Sequence, residues 1–198
     1  MRLGVLGGTF DPIHYAHLFI GEEARVRLGL HQILFVPNHI PPHKCEPNLT
    51  PGEHRFAMVE AAIAGNASFK ASRVELDRPG PSYTVDTLRI LHQEYPAAEV
   101  YFISGLDAVV EMAGWKEPLE VARLAVIVAV TRPGYASEAS LEGLPRELRS
   151  RIEVLPSPLI EISSTMLRER VREGLPIRYL TPDPVVEYID RHGLYRAG

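Results

Sequence analysis

The chain has 198 residues, a length that suits one α/β domain and is too short for two domains of full size. Hydrophobic residues make up 45% and charged residues 23%, a balance typical of globular proteins that excludes disordered, collagen-like and coiled-coil chains. The formal net charge of −4 gives no general attraction to nucleic acid or to an anionic membrane. We therefore expect a single domain over residues 1–198, with no nucleic-acid or membrane partner, in which any anionic ligand meets a local basic site.

Cysteine content and hydropathy indicate the compartment. Cys45 is the single cysteine, so no intrachain disulfide can form. The N-terminal segment lacks the regions of a secretory signal, and the longest apolar stretch, residues 124–130, is far below the ~20 residues of a membrane helix. We expect a cytoplasmic protein, and the sequence leaves its oligomeric state open, a homo-oligomer included.

Short apolar runs rich in β-branched residues alternate with segments of helical spacing. These runs predict strands at residues 3–6, 33–36, 100–103 and 124–130, and weaker strands at 69–76 and 152–155. Because runs of this kind are apolar throughout, they indicate strands covered on both faces, as in a parallel sheet. The alternation predicts a doubly wound, Rossmann-like α/β fold with its ligands at the carboxyl ends of the strands, where the strand order switches.

Polar residues before helical segments predict where the helices begin. The predicted N-caps are Thr50, followed by a proline, then Ser163 or Ser164, and finally Thr181. Gly174 and Gly193 predict the ends of the last two helices.

The first predicted strand leads into a turn suited to an anion. Gly7 and Gly8 let backbone N–H groups approach a phosphate, and the helix that follows adds the positive end of its dipole. The turn carries neither a Gly-Lys-Ser/Thr P-loop motif nor GxGxxG, so two common phosphate-binding motifs are excluded. His14 and His17 are three residues apart, and on a helical turn both imidazoles would project from one face toward the phosphate.

Two motifs in the chain resemble those of a known superfamily. GGTFDPIHYAH, residues 7–17, resembles the GG(S/T)FDPxHxGH motif of the nucleotidylyltransferases, and ISSTMLR, residues 162–168, resembles their ISSTxxR motif. Ala16 stands where the superfamily usually has glycine, the smallest change that a side chain can make, and we expect activity to survive it. Three further segments are similar to those of the bacterial nicotinate mononucleotide adenylyltransferases: PNHIPPHK at 37–44, PSYTVDTL at 81–88, and GLD at 105–107 with Trp115 beyond it. The resemblance covers nearly the whole chain, with the ISSTxxR motif carried by C-terminal helices over about 163–198.

This resemblance implies an enzyme of NAD biosynthesis. Its reaction would transfer the adenylyl group of ATP to nicotinate mononucleotide, giving nicotinate adenine dinucleotide and pyrophosphate. The attacking phosphate is already an anion at neutral pH, so the protein would work by alignment and charge stabilisation without a covalent intermediate. Mg²⁺ would arrive on the ATP phosphates, because the sequence has no cluster of acidic residues to hold a metal.

The resemblance also implies the residues of the site. Catalytic roles would belong to His14, His17 and Arg168. Those three would bind ATP together with Gly7, Gly8, Thr9, Phe10, Gly105, Asp107, Ser163, Ser164 and Thr165. Nicotinate mononucleotide would meet Thr9, Phe10, Lys44, Ser82, Tyr83, Thr84 and Trp115, with Arg55 as an assisting cation.

Three of these assignments can be explained by the chemistry of the groups involved. N–H groups at the helix start around residues 82–84 would favour the nicotinate carboxylate over an amide. The indole of Trp115 would stack on the pyridinium ring by a cation–π contact, although a lone tryptophan is as often a core residue. Asp107 would hold the ribose hydroxyls of ATP, or cap a short helix, or do both.

Three other interpretations stay open. The same fold could use nicotinamide mononucleotide, phosphopantetheine or another phosphate monoester as acceptor. Histidines 14, 17, 39 and 43 with Cys45 have spacings that zinc permits, although the surrounding glycines and prolines would then have no purpose. Ala16 alone favours a nucleotide sensor that has lost turnover.

Overall fold

The apolar runs of the sequence form one parallel sheet in the computed structural model, which describes residues 1–40, 49–131, 138–158 and 160–196. The sheet order is β3-β2-β1-β4-β5-β6, and each described neighbouring pair is parallel. The strands are β1 (Arg2–Gly8), β2 (Gln32–Pro37), β3 (Phe69–Ala71), β4 (Glu99–Gly105), β5 (Val126–Thr131) and β6 (Ile152–Pro156).

Helices connect these strands. They are α1 (Tyr15–Arg27), α2 (Gly52–Ile63), α3 (Thr84–Glu94), α4 (Leu106–Val110), α5 (Pro118–Leu124), α6 (Arg146–Arg149), α7 (Ser164–Arg172) and α8 (Asp183–His192), with 3₁₀ turns at Met112–Gly114 and Glu138–Gly143. None of the helices in the described ranges is long and apolar enough to cross a membrane.

Both faces of the sheet are covered, as the continuous apolar runs predict. Alternate residues of β2 separate into two clusters: Leu34 joins residues of α3, α4 and α5, whereas Ile33 and Phe35 join residues of α1, α2 and α8. Burying one such side chain contributes about 1.5–3 kcal/mol relative to its exposed state. The two clusters therefore make the doubly wound arrangement the favoured packing of this sequence.

The order of the strands places the candidate site. β1 pairs with β2 on one side and with β4 on the other, so the chain changes direction across the sheet between β1 and β4. The carboxyl ends Gly8 and Gly105 consequently lie at the same edge, in the crevice where open α/β sheets bind their ligands.

Local departures from the sequence predictions have physical causes. The weak strand predicted at 69–76 ends at Ala71, because the chain then turns, with the Asp77 N–H donating to the Arg73 carbonyl at 2.9 Å. The strand predicted at 124–130 begins two residues later, at Val126, because Leu124 ends α5.

The predicted helix ends are mostly confirmed. Ser163 is the N-cap of α7 and accepts a hydrogen bond from the Met166 N–H at 3.2 Å. Gly193 ends α8 with φ 61°, a left-handed conformation that glycine adopts without strain. The prediction of Thr50 as a cap was wrong by one residue, since Pro51 occupies the N-cap position of α2, and the cap of α8 is Pro182, one residue beyond Thr181.

Candidate functional site

The turn after β1 is shaped by a close approach between two residues. Phe10 has φ 50°, in the left-handed region, and its ring folds back over Gly8 so closely that a Cβ at Gly8 would lie 2.9 Å from it. The ring is buried and meets the imidazole of His17 edge-on at 5.0 Å. Gly8 and Phe10 therefore set the shape of the turn, while Gly7 stays exposed and Thr9 is half-buried.

The two histidines of the motif lie together at the start of α1. His14 is the N-cap of this helix, and its backbone N–H donates to Nδ1 of His17 at 3.3 Å. The two rings stack with centroids 3.7 Å apart, and His14 is 96% buried while His17 is half-buried. The structure thus brings both predicted catalytic histidines to one helix N-terminus. Ala16 between them is buried, so its methyl group packs within the protein.

Helix α7 is fastened to the same turn by its polar side chains. The Ser164 hydroxyl donates to the Pro12 carbonyl at 2.8 Å, and Nη1 of Arg168 donates to the Asp11 carbonyl at 2.8 Å. A longer contact of 3.4 Å joins Nη2 of Arg168 to the hydroxyl of Thr165. The two sequence motifs, about 150 positions apart in the chain, therefore meet as predicted.

The buried carboxylate of Asp11 fixes the turn after β1 through contacts that the sequence does not predict. Its carboxylate, 1% exposed, accepts a hydrogen bond from the Tyr195 hydroxyl at 2.5 Å and another from the Thr50 N–H at 3.2 Å. Burial raises the pKa of Tyr195 well above its ordinary value, and the Asp11 carboxylate raises it further. Nearby, the Thr181 hydroxyl donates to the Ile13 carbonyl at 2.7 Å, so α8 and its flanks complete the turn.

Arg55, predicted as an assisting cation, is instead a buried structural residue. Its side chain donates to the carbonyls of Thr50, Thr9 and Asn38, each at 2.8 Å, and Arg55 is 1% exposed. Burial lowers the pKa of the guanidinium, and the Asp11 charge acts in the opposite direction. Arg55 joins the turn after β1 to the segment after β2 without facing solvent.

The second part of the candidate site lies at the start of α3. Of the three N–H groups predicted to receive a carboxylate, that of Ser82 donates to the Ile40 carbonyl at 2.9 Å and that of Tyr83 to the Pro81 carbonyl at 3.0 Å. Within the described ranges, only the Thr84 N–H of the three has no hydrogen-bond acceptor. A first-turn N–H of this kind is available to a ligand.

Trp115 lies close to this helix start, half-buried against the sheet. Its indole packs edge-on against Phe102 at 6.0 Å. The neighbouring Lys116 lies over the ring of Tyr83 at 4.8 Å and donates to the Asp86 carboxylate at 2.9 Å. Burial alone would raise the pKa of Asp86, but the contacts with Lys116 and Arg78 lower it below its ordinary value. Lys116, next to Trp115 in the chain, thus joins this segment to the start of α3 through Tyr83 and Asp86, contacts that the sequence does not predict.

The remaining predicted residues have mixed outcomes. Gly105 is the N-cap of α4, and a Cβ there would collide with the carboxylate of Asp107, which is exposed. Asp107 is therefore in the first turn of the helix and is not its cap. Lys44 lies outside the described residues, as do His43 and Cys45 of the zinc interpretation. Over the part of the chain that the structure describes, no three His, Cys, Asp or Glu residues lie close enough to hold a metal ion.

Comparison with known proteins identifies the group to which this arrangement belongs. The family described as cytidylyltransferase-like matches residues 5–170, which include both motifs, the second half of β1 and the strands β2 to β6. The chain belongs to this family.

Proteins similar to this chain over nearly their whole length are known from bacteria and a parasite. A probable nicotinate-nucleotide adenylyltransferase of Leifsonia xyli is 47% identical over 99% of this chain and 94% of its own length. Another, from Roseiflexus sp., is 48% identical over 98% of both chains. The solved Plasmodium falciparum nicotinic acid mononucleotide adenylyltransferase complexed with NaAD superposes with a TM-score of 0.78 over 98% of this chain and 97% of that one; at 21% identity it shows the shared fold.

Proposed function

We propose that this cytidylyltransferase-like protein transfers the adenylyl group of ATP to nicotinate mononucleotide, producing nicotinate adenine dinucleotide and pyrophosphate for NAD biosynthesis. The observation that carries the proposal is the meeting of the stacked pair His14 and His17 with α7 and Arg168 on one glycine turn. The names of the 47–48% identical relatives support nicotinate mononucleotide as the acceptor.

On the ATP side, the reaction needs positive charge and fixed geometry. The phosphate oxygen of the mononucleotide attacks the α-phosphorus of ATP, and the bond from that phosphorus to the bridging oxygen of pyrophosphate breaks. His14 and His17 stabilise the charge on the α-phosphoryl oxygens, and the turn at Gly7–Phe10, together with the N-terminus of α1, supplies N–H donors. Arg168 and the N-terminus of α7, with Ser163, Ser164 and Thr165, bind the β- and γ-phosphates. Gly105 and Asp107, at the end of β4, bind the ribose of ATP.

On the mononucleotide side, the reaction needs selective recognition of nicotinate. The Thr84 N–H donates to the carboxylate, Trp115 stacks on the pyridinium ring, and Thr9 and Phe10 line the approach to ATP. Ser82 and Tyr83 shape this helix start, since their own N–H groups are already donated. Lys44 binds the phosphate of the mononucleotide.

Mg²⁺ enters as part of the substrate in this proposal. The Asp11 carboxylate is already hydrogen-bonded to Tyr195 and Thr50, and among the residues that the structure describes no three His, Cys, Asp or Glu lie close enough to hold a metal ion. A hard cation that prefers oxygen is then held chiefly by the phosphates of ATP.

Pyrophosphate release tests the proposal directly. The wild-type protein is given ATP and Mg²⁺ with one of three acceptors: nicotinate mononucleotide, nicotinamide mononucleotide or phosphopantetheine. We expect strong turnover with the acid and much weaker turnover with its amide, because the amide has no charge to meet the Thr84 N–H.

The other outcomes of this assay assign the protein differently. Equal use of the acid and the amide would overturn the proposed selectivity. Turnover with phosphopantetheine alone would show that this compound is the acceptor substrate. No turnover with any of the three would favour a nucleotide sensor that has lost turnover.

A further inference from the structure

The carboxylate of Asp86 lies among three cations at the first turn of α3. It accepts hydrogen bonds from Nζ of Lys116 at 2.9 and 3.2 Å, and it forms an ion pair with Nη1 of Arg78 at 3.1 Å. Arg89, three residues further along the helix, adds a longer ion pair at 3.7 Å. One carboxylate, 24% exposed, thus joins the segment after β3, the helix α3 and the segment before α5.

A second ion pair joins α3 to the segment before α5. The guanidinium of Arg89 donates to both carboxylate oxygens of Glu117, at 2.6 and 3.2 Å. Glu117 has φ 50°, in the left-handed region that is unfavourable for any residue other than glycine. Backbone in such a conformation persists where the contacts around it hold it in place. Residues 115–117 are therefore fastened to α3 by two adjacent ion pairs, one from Asp86 and one from Arg89.

The buried side of the same helix turn is held by different residues. The Thr87 hydroxyl donates to the carboxylate of Glu75, which is 7% exposed, at 2.6 Å. This contact joins α3 to the turn after β3. The charged contacts between α3 and residues 115–117 are instead those of Asp86 and Arg89, on the side of the helix that faces solvent.

Nicotinate is a rigid, planar group, so the two parts of the protein that bind it must lie at a fixed separation. In the proposed function its ring stacks on Trp115 and its carboxylate accepts a hydrogen bond from the Thr84 N–H. These two groups belong to different segments of the chain. Asp86 lies two positions after Thr84, and Lys116 lies one position after Trp115, so the ion pair between them joins the two segments next to the groups that bind nicotinate.

We propose that Asp86 is a positioning residue for nicotinate: its ion pair with Lys116 fixes the indole of Trp115 relative to the Thr84 N–H before the mononucleotide binds. Asp86 touches no reacting atom. An isolated ion pair at a surface contributes little, but it contributes more where several charges form a network, as they do around this carboxylate. A site that is ordered in advance loses less freedom when its ligand binds. This inference rests on the proposed function, which assigns Trp115 and Thr84 to nicotinate.

Steady-state kinetics of Asp86→Asn test this role. The substitution keeps the size of the side chain and removes its charge, so we expect KM for nicotinate mononucleotide to rise about fivefold while kcat and KM for ATP stay within about twofold. Asp86→Glu keeps the charge and should restore most of the lost affinity. Lys116→Met breaks the same ion pair from the other side and should raise this KM by a similar factor. The double variant should raise it no further, because both changes remove one interaction.

The matched control is Asp183→Asn. Asp183 likewise lies in the first turn of its helix, α8, and forms an ion pair with Arg178 at 3.3 Å. The substitution therefore removes the same charge from the same kind of position, far along the chain from residues 115–117. KM for nicotinate mononucleotide should not change in this variant.

A fluorescence measurement follows the segment without turnover. Trp115 is the single tryptophan of the chain, so the intrinsic fluorescence excited at the indole band reports on this side chain. Acrylamide should quench it more steeply in Asp86→Asn and Lys116→Met than in the wild type, because the segment opens more readily once the ion pair is lost. Quenching in Asp183→Asn should match the wild type.

Four results would overturn the proposal: an equal rise in KM for ATP, an Asp183→Asn variant that matches Asp86→Asn, additive effects in the double variant, or unchanged quenching of Trp115 in Asp86→Asn. A wild-type protein that is inactive with nicotinate mononucleotide would contradict the proposed function instead. The quenching experiment would then still decide whether Asp86 holds the segment that carries Trp115.

Discussion

The turn around His14 and the start of α3 serve opposite sides of the proposed reaction, and different contacts hold them. The turn is a local structure: Gly8, Phe10, His14 and His17 lie within ten positions and contact one another directly. The start of α3 depends on residues from three separate segments, with Glu75 among them.

This difference affects what a substitution can damage. In the turn, the predicted ligand-binding side chains also form the local structure, so a change there acts on chemistry and shape together. At the start of α3, the predicted donor is a backbone N–H, and the side chains that hold it in place are buried away from the substrate.

The largest effect is expected on the ATP side. His17→Ala removes a donor aimed at the charge of the transition state, so kcat should fall by about 10²–10³-fold, with KM for nicotinate mononucleotide little changed. His31→Ala is the matched control, since His31 is exposed at the opposite, amino end of the strands. Turnover is measured by pyrophosphate release. A loss below about tenfold in His17→Ala, or a comparable loss in the control, would contradict the catalytic role.

A smaller effect is expected on the mononucleotide side. Thr84→Pro removes one backbone N–H at the first position of α3, where proline is tolerated, and Tyr83 before it already has the extended φ and ψ that proline requires. Turnover with the acid should fall by about 10–100-fold and approach that with the amide. Thr84→Ala removes the hydroxyl and keeps the N–H, so it should retain the preference. If Thr84→Pro keeps the preference for the acid, the Thr84 N–H does not contact the substrate carboxylate.

The smallest effect is expected at the residue that joins the two sides. Arg55→Met keeps much of the side-chain length but leaves the carbonyls of Thr9, Thr50 and Asn38 without their donor. The free energy of unfolding should fall by about 1–3 kcal/mol, because the lost burial cost of the guanidinium offsets part of the damage. Denaturant unfolding measures this, with exposed Arg149→Met as the control. Full stability with weaker binding of the mononucleotide would instead make Arg55 a ligand-binding residue.

The sequence predicts the fold well wherever the signal is local. Continuous apolar runs such as the one in β4 and the cap at Ser163 depend on neighbours in the chain, and both are confirmed. The short β3 shows the limit: the apolar pattern at 69–76 continues past Ala71, but the chain turns there and Arg73 pairs with Glu53 of α2.

The site divides in the same way. His14, His17 and Arg168 belong to compact motifs, and the structure brings them together. The burial of Arg55 and the contacts of Glu75 depend on packing between distant segments, for which a single sequence carries no periodic signal. Asp11 belongs to the first motif, residues 7–17, but the motif does not predict that Tyr195 donates a hydrogen bond to its carboxylate.

The contacts of Tyr195 with Asp11 and of Thr181 with Ile13 span 184 and 168 positions of the chain. The turn after β1 therefore stays incomplete until α8 and its flanks have packed against it. Native contacts of such long range slow folding. A nascent chain can form much of its parallel sheet and still lack a finished nucleotide site, so the capacity to bind ATP should appear only at the end of folding.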